Sequence, residues 1–147
     1  MNDAIKTGKG ILLGIDFGDK RTGIAVSDNT RFLASARETV TVNGLNDCAE
    51  KIAAIAREIG ATGIILGLPV NMDGSHGPRA EKCKYLGEVL AEKTGIPVDF
   101  CDERMTTMEA ARYLGESGTF GKKRKKVIDA LSAQIILQNY LDKLKYM

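Results

Sequence analysis

Tryptophan is absent from this chain of 147 residues, and histidine occurs once, at His76. A Ser-His-Asp arrangement or a His-rich metal site therefore has little to be built from. His76 lies in a Gly-rich loop, where it reads either as a solvated residue or as a lone general base. The cysteines, Cys48, Cys83 and Cys101, form no CxxC pair and no Cys/His cluster, which argues against structural zinc and against a disulfide framework. Each reads as a small buried hydrophobe. No apolar run approaches the roughly 18 residues that a membrane span needs. The first ten residues, MNDAIKTGKG, are polar and lack the apolar core of a secretory signal. No membrane association is expected, and the cytoplasm is the expected compartment. Aromatic residues make up 5% of the chain, too few to make extensive base stacking an obvious binding mode.

What is present is globular. The hydrophobic fraction is 44% and the charged fraction 27%, values of a folded domain rather than a disordered chain. The length suits one domain with one substantial core. The stretch Ile11–Asp28, ILLGIDFGDKRTGIAVSD, organises the reading. An apolar run ends abruptly in Asp16, Gly18 and Gly23 flank a polar turn, and an alternating run follows, which is the pattern of strand, tight turn and antiparallel strand. A carboxylate where a buried strand ends either caps the turn or holds a cation.

The remaining pattern gives a strand near Ala34–Val42, a helix over Leu45–Ile59 closed by Gly60, and a buried strand over Thr62–Leu68 stopped by Pro69. A polar loop, a helix reaching Thr94-Gly95 and a strand at Pro97–Cys101 follow; that strand runs into the acidic pair Asp102-Glu103. Helical segments are expected over Met108–Leu114 and from about Lys125 to Leu144, with a flexible break between them. Residues 1–10 read as a loose N-terminal tail. With no repeat or internal linker, the chain reads as one α/β domain spanning 1–147.

On the last helix, about 100° per residue sets Gln134, Gln138, Asp142 and Lys145 on one polar face. Asp129 falls nearly opposite, in line with Ser132, Ala133, Ile136 and Tyr140, so it is expected to point inward. Asp16, an acid of the 102–103 pair and Asp129 then form a hard, all-oxygen donor set suited to Mg²⁺ or Mn²⁺. Two such ions about 3.5–4 Å apart serve phosphodiester hydrolysis. Strand alternation leaves open which of Asp102 and Glu103 faces the site.

The segments GIDFGDKRTGIAVSD (14–28), GIILGLPVNMDGS (63–75), DERMTT (102–107) and VIDALSAQIILQNYL (127–141) together resemble the YqgF family. That family is described as Holliday-junction resolvases and, in bacteria, as nucleases maturing the 5′ end of pre-16S ribosomal RNA. The resemblance spans nearly the whole chain. It implies an α/β, RNase H-like fold related to RuvC, with a five-stranded mixed sheet and helices on both faces. It maps the acidic metal ligands onto Asp16, Glu103 and Asp129, and the choice of Glu103 rests on it. It also implies a hydrolase acting on structured precursor rRNA or, alternatively, branched DNA, with ions held fully only when substrate completes their shell.

Other residues offer nucleic-acid contacts. Arg21 reads either as a phosphate ligand or as an exposed turn cation, and Arg104 as a backbone contact or the partner of a nearby acid. Asn71, in the loop after Pro69, can hydrogen-bond a backbone or a base. Lys122, Lys123, Arg124, Lys125 and Lys126 are five cations in a row immediately before the helix bearing Asp129. Such a run is either a solvated segment or a phosphate contact, which gives affinity rather than sequence choice. The assembly is expected to be a monomer or homodimer, since paired junction cuts need two copies. Two other readings are open. The Asp16–Gly18–Gly23 spacing resembles the phosphate loop of sugar kinases, which need two such lobes, and a catalytically silent nucleic-acid-binding module would use the acids structurally.

Overall fold

The computed structural model describes residues 2–69, 76–103 and 121–146, with 103 and 121–126 described by their backbone alone. Five strands, β1 (Leu12–Asp16), β2 (Arg21–Ser27), β3 (Ala34–Thr41), β4 (Gly63–Pro69) and β5 (Val98–Glu103), form one sheet in the order β3-β2-β1-β4-β5. The short turn after Asp16 makes β1 and β2 antiparallel, with Asp16 opposite Gly23. β3 adds antiparallel to β2, while β4 lies parallel to β1 and β5 parallel to β4. The expected mixed sheet of five strands is the one observed.

Helices α2 (Gly44–Ile59) and α3 (Pro78–Thr94) cover one face of the sheet and α4 (Gly121–Lys145) covers the other. Gly60 and Gly95 close α2 and α3 at φ 69° and 70°, left-handed values that glycine adopts without penalty. The two-residue period of the strands divides the core. Leu13, Ile15, Ile24, Ile64, Leu66 and Leu68 meet Ile52, Leu86 and Leu90 on the α2/α3 face. Leu12, Ala25, Ile65 and Cys101 meet Ala133, Ile136, Leu137 and Tyr140 on the α4 face. Cys48, Cys83 and Cys101 are all buried and unbridged, as small hydrophobes should be; burial pushes the Cys48 thiol up to about 11, against the pull of its contact with the Thr22 hydroxyl. Among the described residues no helix is long and apolar enough to cross a membrane.

Two expectations change. The loose tail expected over 1–10 is not what its described residues form: Asp3–Thr7 make a short helix, α1. Asn2 caps it by accepting the Ala4 and Ile5 N–H groups, Ile5 is fully buried against the α4-side core, and the Asn2 N–H donates to Asp99 at 2.7 Å. Arg31, held at φ 59°, donates to the Ile5 carbonyl and, at 2.9 Å, to the Gly10 carbonyl. One buried isoleucine and a cap outweigh the polarity of the segment. The basic run also does not precede the last helix as a separate segment. Its backbone belongs to α4, which starts at Gly121, because lysine and arginine are good helix formers. The segment expected to be helical over Met108–Leu114 lies outside the described residues.

Candidate active site

β1 places Asp16 at its last position, where the sheet stops covering the chain. Since Asp16 and Gly23 are register partners, both belong to the α4 face, and Gly23 is where α4 comes down. A Cβ on Gly23 would stand 1.8 Å from the carbonyl oxygen of Asp129. Only glycine permits that approach, so the backbone of Asp129 is seated on the strand residue paired with Asp16. Farther along, a Cβ on Gly14 would lie 2.6 Å from Leu137 Cβ, which keeps α4 close over β1. The inward face expected for this helix is observed: Ser132, Ala133, Ile136 and Tyr140 are at most 1% exposed.

Asp129 is half-buried, and Arg21 Nε donates to its Oδ2 at 2.8 Å. Arg21 is therefore not a bare turn cation. It bridges the turn after Asp16 to α4 and offsets the charge of Asp129. The turn itself is braced. The Gly18 N–H donates to the Thr22 hydroxyl at 3.3 Å, and the Lys20 and Asp19 carbonyls accept the Val42 and Gly44 N–H groups at 2.9 and 3.3 Å.

β5 carries the third acid. Residue 103 pairs with Pro69, and Cys101 pairs with Gly67. The strand period assigns position 103 to the sheet face of Cys101, which is the α4 face. Between β1 and β5 on that face β4 has Gly67, a position without a side chain, across two strand spacings of about 4.8 Å each. Asp102, the other acid of the pair, is exposed. It lines a separate hollow of about 220 Å³ with Asp99, Phe100, Tyr140 and Lys143. In that hollow Tyr140 donates to Asp99 at 2.7 Å. Burial first, and then this hydrogen bond, raise the pKa of Tyr140.

Among the described residues no three of His, Cys, Asp and Glu converge; Asp16 and Asp129 supply two acids, and the side chain at 103 lies outside them. The donor set fits a hard divalent cation, being carboxylate oxygen without sulfur or imidazole. Ser132, one turn beyond Asp129, is fully buried, and its Oγ has no hydrogen-bond partner among the described residues. That is a polar atom the fold leaves on the site's face. His76 is exposed, with its Nδ1 3.1 Å from Lys84 Nζ. Asn71 and Arg104 lie outside the described residues. Lys122, Lys123, Arg124, Lys125 and Lys126 form the first two turns of α4 by their backbone, and the first turn contains no acidic residue. Cations at the positive end of a helix dipole are unfavourable unless an anion joins them.

Arg79 was not singled out by its sequence context, yet it reaches the residue after Asp16. Its Nη2 donates to the Phe17 carbonyl at 2.6 Å, and its guanidinium lies 5.8 Å from the centre of the Phe17 ring.

Comparison with known proteins agrees with this architecture. Residues 10–143 match the family described as RuvX, Holliday junction resolvase. A protein of Ligilactobacillus salivarius strain UCC118, provisionally named a pre-16S rRNA nuclease, is 47% identical over 140 residues, covering 90% of this chain and 92% of that protein. Among solved structures, Thermus thermophilus RuvC in complex with a Holliday junction substrate superposes with a TM-score of 0.61 at 12% identity, covering 94% of this chain and 97% of that one. Fowlpox virus resolvase in complex with Holliday junction DNA superposes with a TM-score of 0.58 at 12% identity, covering 91% and 98%. Likeness at that identity shows the fold, which is the RNase H-like fold of RuvC-type resolvases.

Proposed function

The chain belongs to the RuvX family, the YqgF family of the sequence resemblance, and from that premise we propose that it is a divalent-metal-dependent nuclease, one domain over 1–147, that trims the 5′ end of pre-16S rRNA in the cytoplasm. The observation that carries the reading is the seating of the Asp129 backbone on Gly23, the register partner of Asp16. Two acids from opposite ends of the chain thereby share one open sheet edge.

Asp16, Asp129 and Glu103 are the residues that would hold Mg²⁺ or Mn²⁺. When bound, such ions supply Lewis-acid stabilisation of the charge that builds on a phosphodiester and lower the pKa of water. The protein's part is to hold mutually repelling carboxylates at one edge, which Arg21 eases by pairing with Asp129. The backbone seating keeps that geometry from relaxing. The run Lys122–Lys126 at the start of α4 supplies phosphate affinity without base choice, and Asn71 and Arg104 are candidates for further contacts. The cut leaves a 5′-phosphate if it follows the related nucleases.

The relatives' naming favours a ribosomal RNA precursor. Branched DNA is the second reading, favoured by the description of the family and by structural likeness to a junction-bound resolvase; it would require a homodimer. The test is cleavage of a 5′-extended 16S precursor RNA beside a four-way DNA junction, each with Mn²⁺, with EDTA, and with Asp16→Asn. The expected result is Mn²⁺-dependent cleavage of the RNA that falls about a hundredfold or more in the variant. Paired cuts of the junction alone would move the assignment to resolvase. Cleavage indifferent to both EDTA and Asp16→Asn would overturn the site.

A further inference from the structure

Cations stand on both sides of the turn that follows Asp16: Arg21 toward α4, and Arg79 and Lys82 toward α3. On the α3 side, Arg79 and Lys82 lie one turn apart on the same face of the helix, and both approach the turn that follows Asp16. Arg79 is fixed at two points: its Nη2 donates to the Phe17 carbonyl at 2.6 Å, and its guanidinium lies against the Phe17 ring. Its Nη1 meets Asp19 at 3.6 Å, an ion pair too long for a hydrogen bond, and among the described residues those N–H groups make no hydrogen bond. Lys82 donates to the other oxygen of Asp19 at 3.3 Å. Arg79, Lys82 and Asp19 are each about half exposed, and Lys20 in the same turn is exposed. Three cations thus stand against one carboxylate.

We propose that Arg79 and Lys82 form a second phosphate-binding flank, which grips the sugar-phosphate backbone of the nucleic acid on the side of Asp16 opposite α4. The proposal rests on the nucleic-acid reading given above and adds the path of the strand, from the start of α4 across the end of β1 to α3. A guanidinium already oriented by a backbone carbonyl loses little freedom on meeting a phosphate, and its planar fork matches two phosphate oxygens. The exposed pairs with Asp19 are weak enough to be exchanged. Because Arg79 touches the residue next to Asp16, a strand presented to Asp16 comes within its reach.

The test is binding of the 5′-extended 16S precursor RNA to the full chain in EDTA, followed by fluorescence anisotropy across a salt series. Arg79→Gln is expected to weaken binding about tenfold at low salt, the scale of one charge-assisted contact. It should also flatten the slope of log K against log salt by about 0.7–0.9 for the lost phosphate contact. Lys82→Gln should flatten the slope in the same direction, whereas Lys93→Gln, at the far end of α3 beside Glu50, should leave it unchanged. Asp19→Asn, which removes the competing carboxylate, should tighten binding. Arg79→Lys should restore the slope, since it keeps the charge while losing the fork over Phe17. If Arg79 only braces the Phe17 backbone, Arg79→Gln will lower the melting temperature and leave the slope intact, and that result overturns the proposal while the nuclease reading stands. Failure of the unaltered chain to bind RNA at all would remove both.

Discussion

The two faces of the sheet are built on different rules. On the α2/α3 face, branched aliphatic side chains from β1, β2 and β4 interdigitate with those of two helices, and the spacing of the layers follows from side-chain volume. On the α4 face, Gly14, Gly23 and Ala25 give α4 almost nothing to stand off from, so the helix backbone itself touches the sheet. More of the buried polar groups lie there as well: Ser132, the Ser27 hydroxyl accepting the Leu12 N–H at 2.8 Å, and the Tyr140–Asp99 hydrogen bond, against Thr22 on the other face. The first face supplies burial and tolerates repacking. The second sets the position of Asp129 relative to Asp16 by backbone contact, and it is the face that carries the candidate chemistry.

Gly23→Val strikes that difference hardest. It drives a branched side chain into the Asp129 carbonyl, and the expected loss is about 4 kcal/mol or more of unfolding free energy. Cleavage should fall even under conditions where the variant is folded, because α4 must lift with Asp129. Denaturant unfolding and single-turnover cleavage read the two effects separately. Leu66→Ala, on the other face, is expected to lose about 3 kcal/mol through its cavity. It should cleave normally at temperatures well below its melting point. Equal losses of cleavage in the two variants at matched folded fraction would erase the distinction between the faces.

A smaller effect tests a region remote from both. At the far end of β2 the Thr30 hydroxyl first, and then the Leu33 N–H, hold the Asp28 carboxyl down at about 2 from an ordinary 3.8. A carboxyl lowered in the folded state adds stability that is complete above pH 4 and is lost as pH falls through about 2. Asp28→Asn should therefore lower the melting temperature slightly at neutral pH, with the gap to the unaltered chain closing between about pH 4 and pH 2. A gap that stayed constant over that range would assign the effect to the turn's shape rather than its charge.

Much of this was legible in the chain itself. The inward position of Asp129 followed from helical period alone, because Ser132, Ala133, Ile136 and Tyr140 recur at the right spacing. The strand ending at Asp16 was visible as an apolar run cut short. Helix α1 was not, because one isoleucine in five residues makes no periodicity, although Asn2 ahead of it was a usable cap signal. Arg79 was equally silent: its partner Phe17 lies 62 residues away, and an arginine in the first turn of a polar helix looks solvated. Arg21 is visible as a turn cation, but its partner, Asp129, lies 108 residues away and no local pattern joins the two.

The elements, their order and the acids at their ends are written locally in the chain, since apolar period, glycine stops and the abrupt carboxylates are local signals. Which groups meet is settled by packing. The pairing of Arg21 with Asp129, the hold of Arg79 on Phe17 and the contact of α4 with Gly23 all depend on strand register and on how closely a helix can approach a sheet. Those are properties of the packed chain, because a long-range contact leaves no periodic trace in the residues that make it.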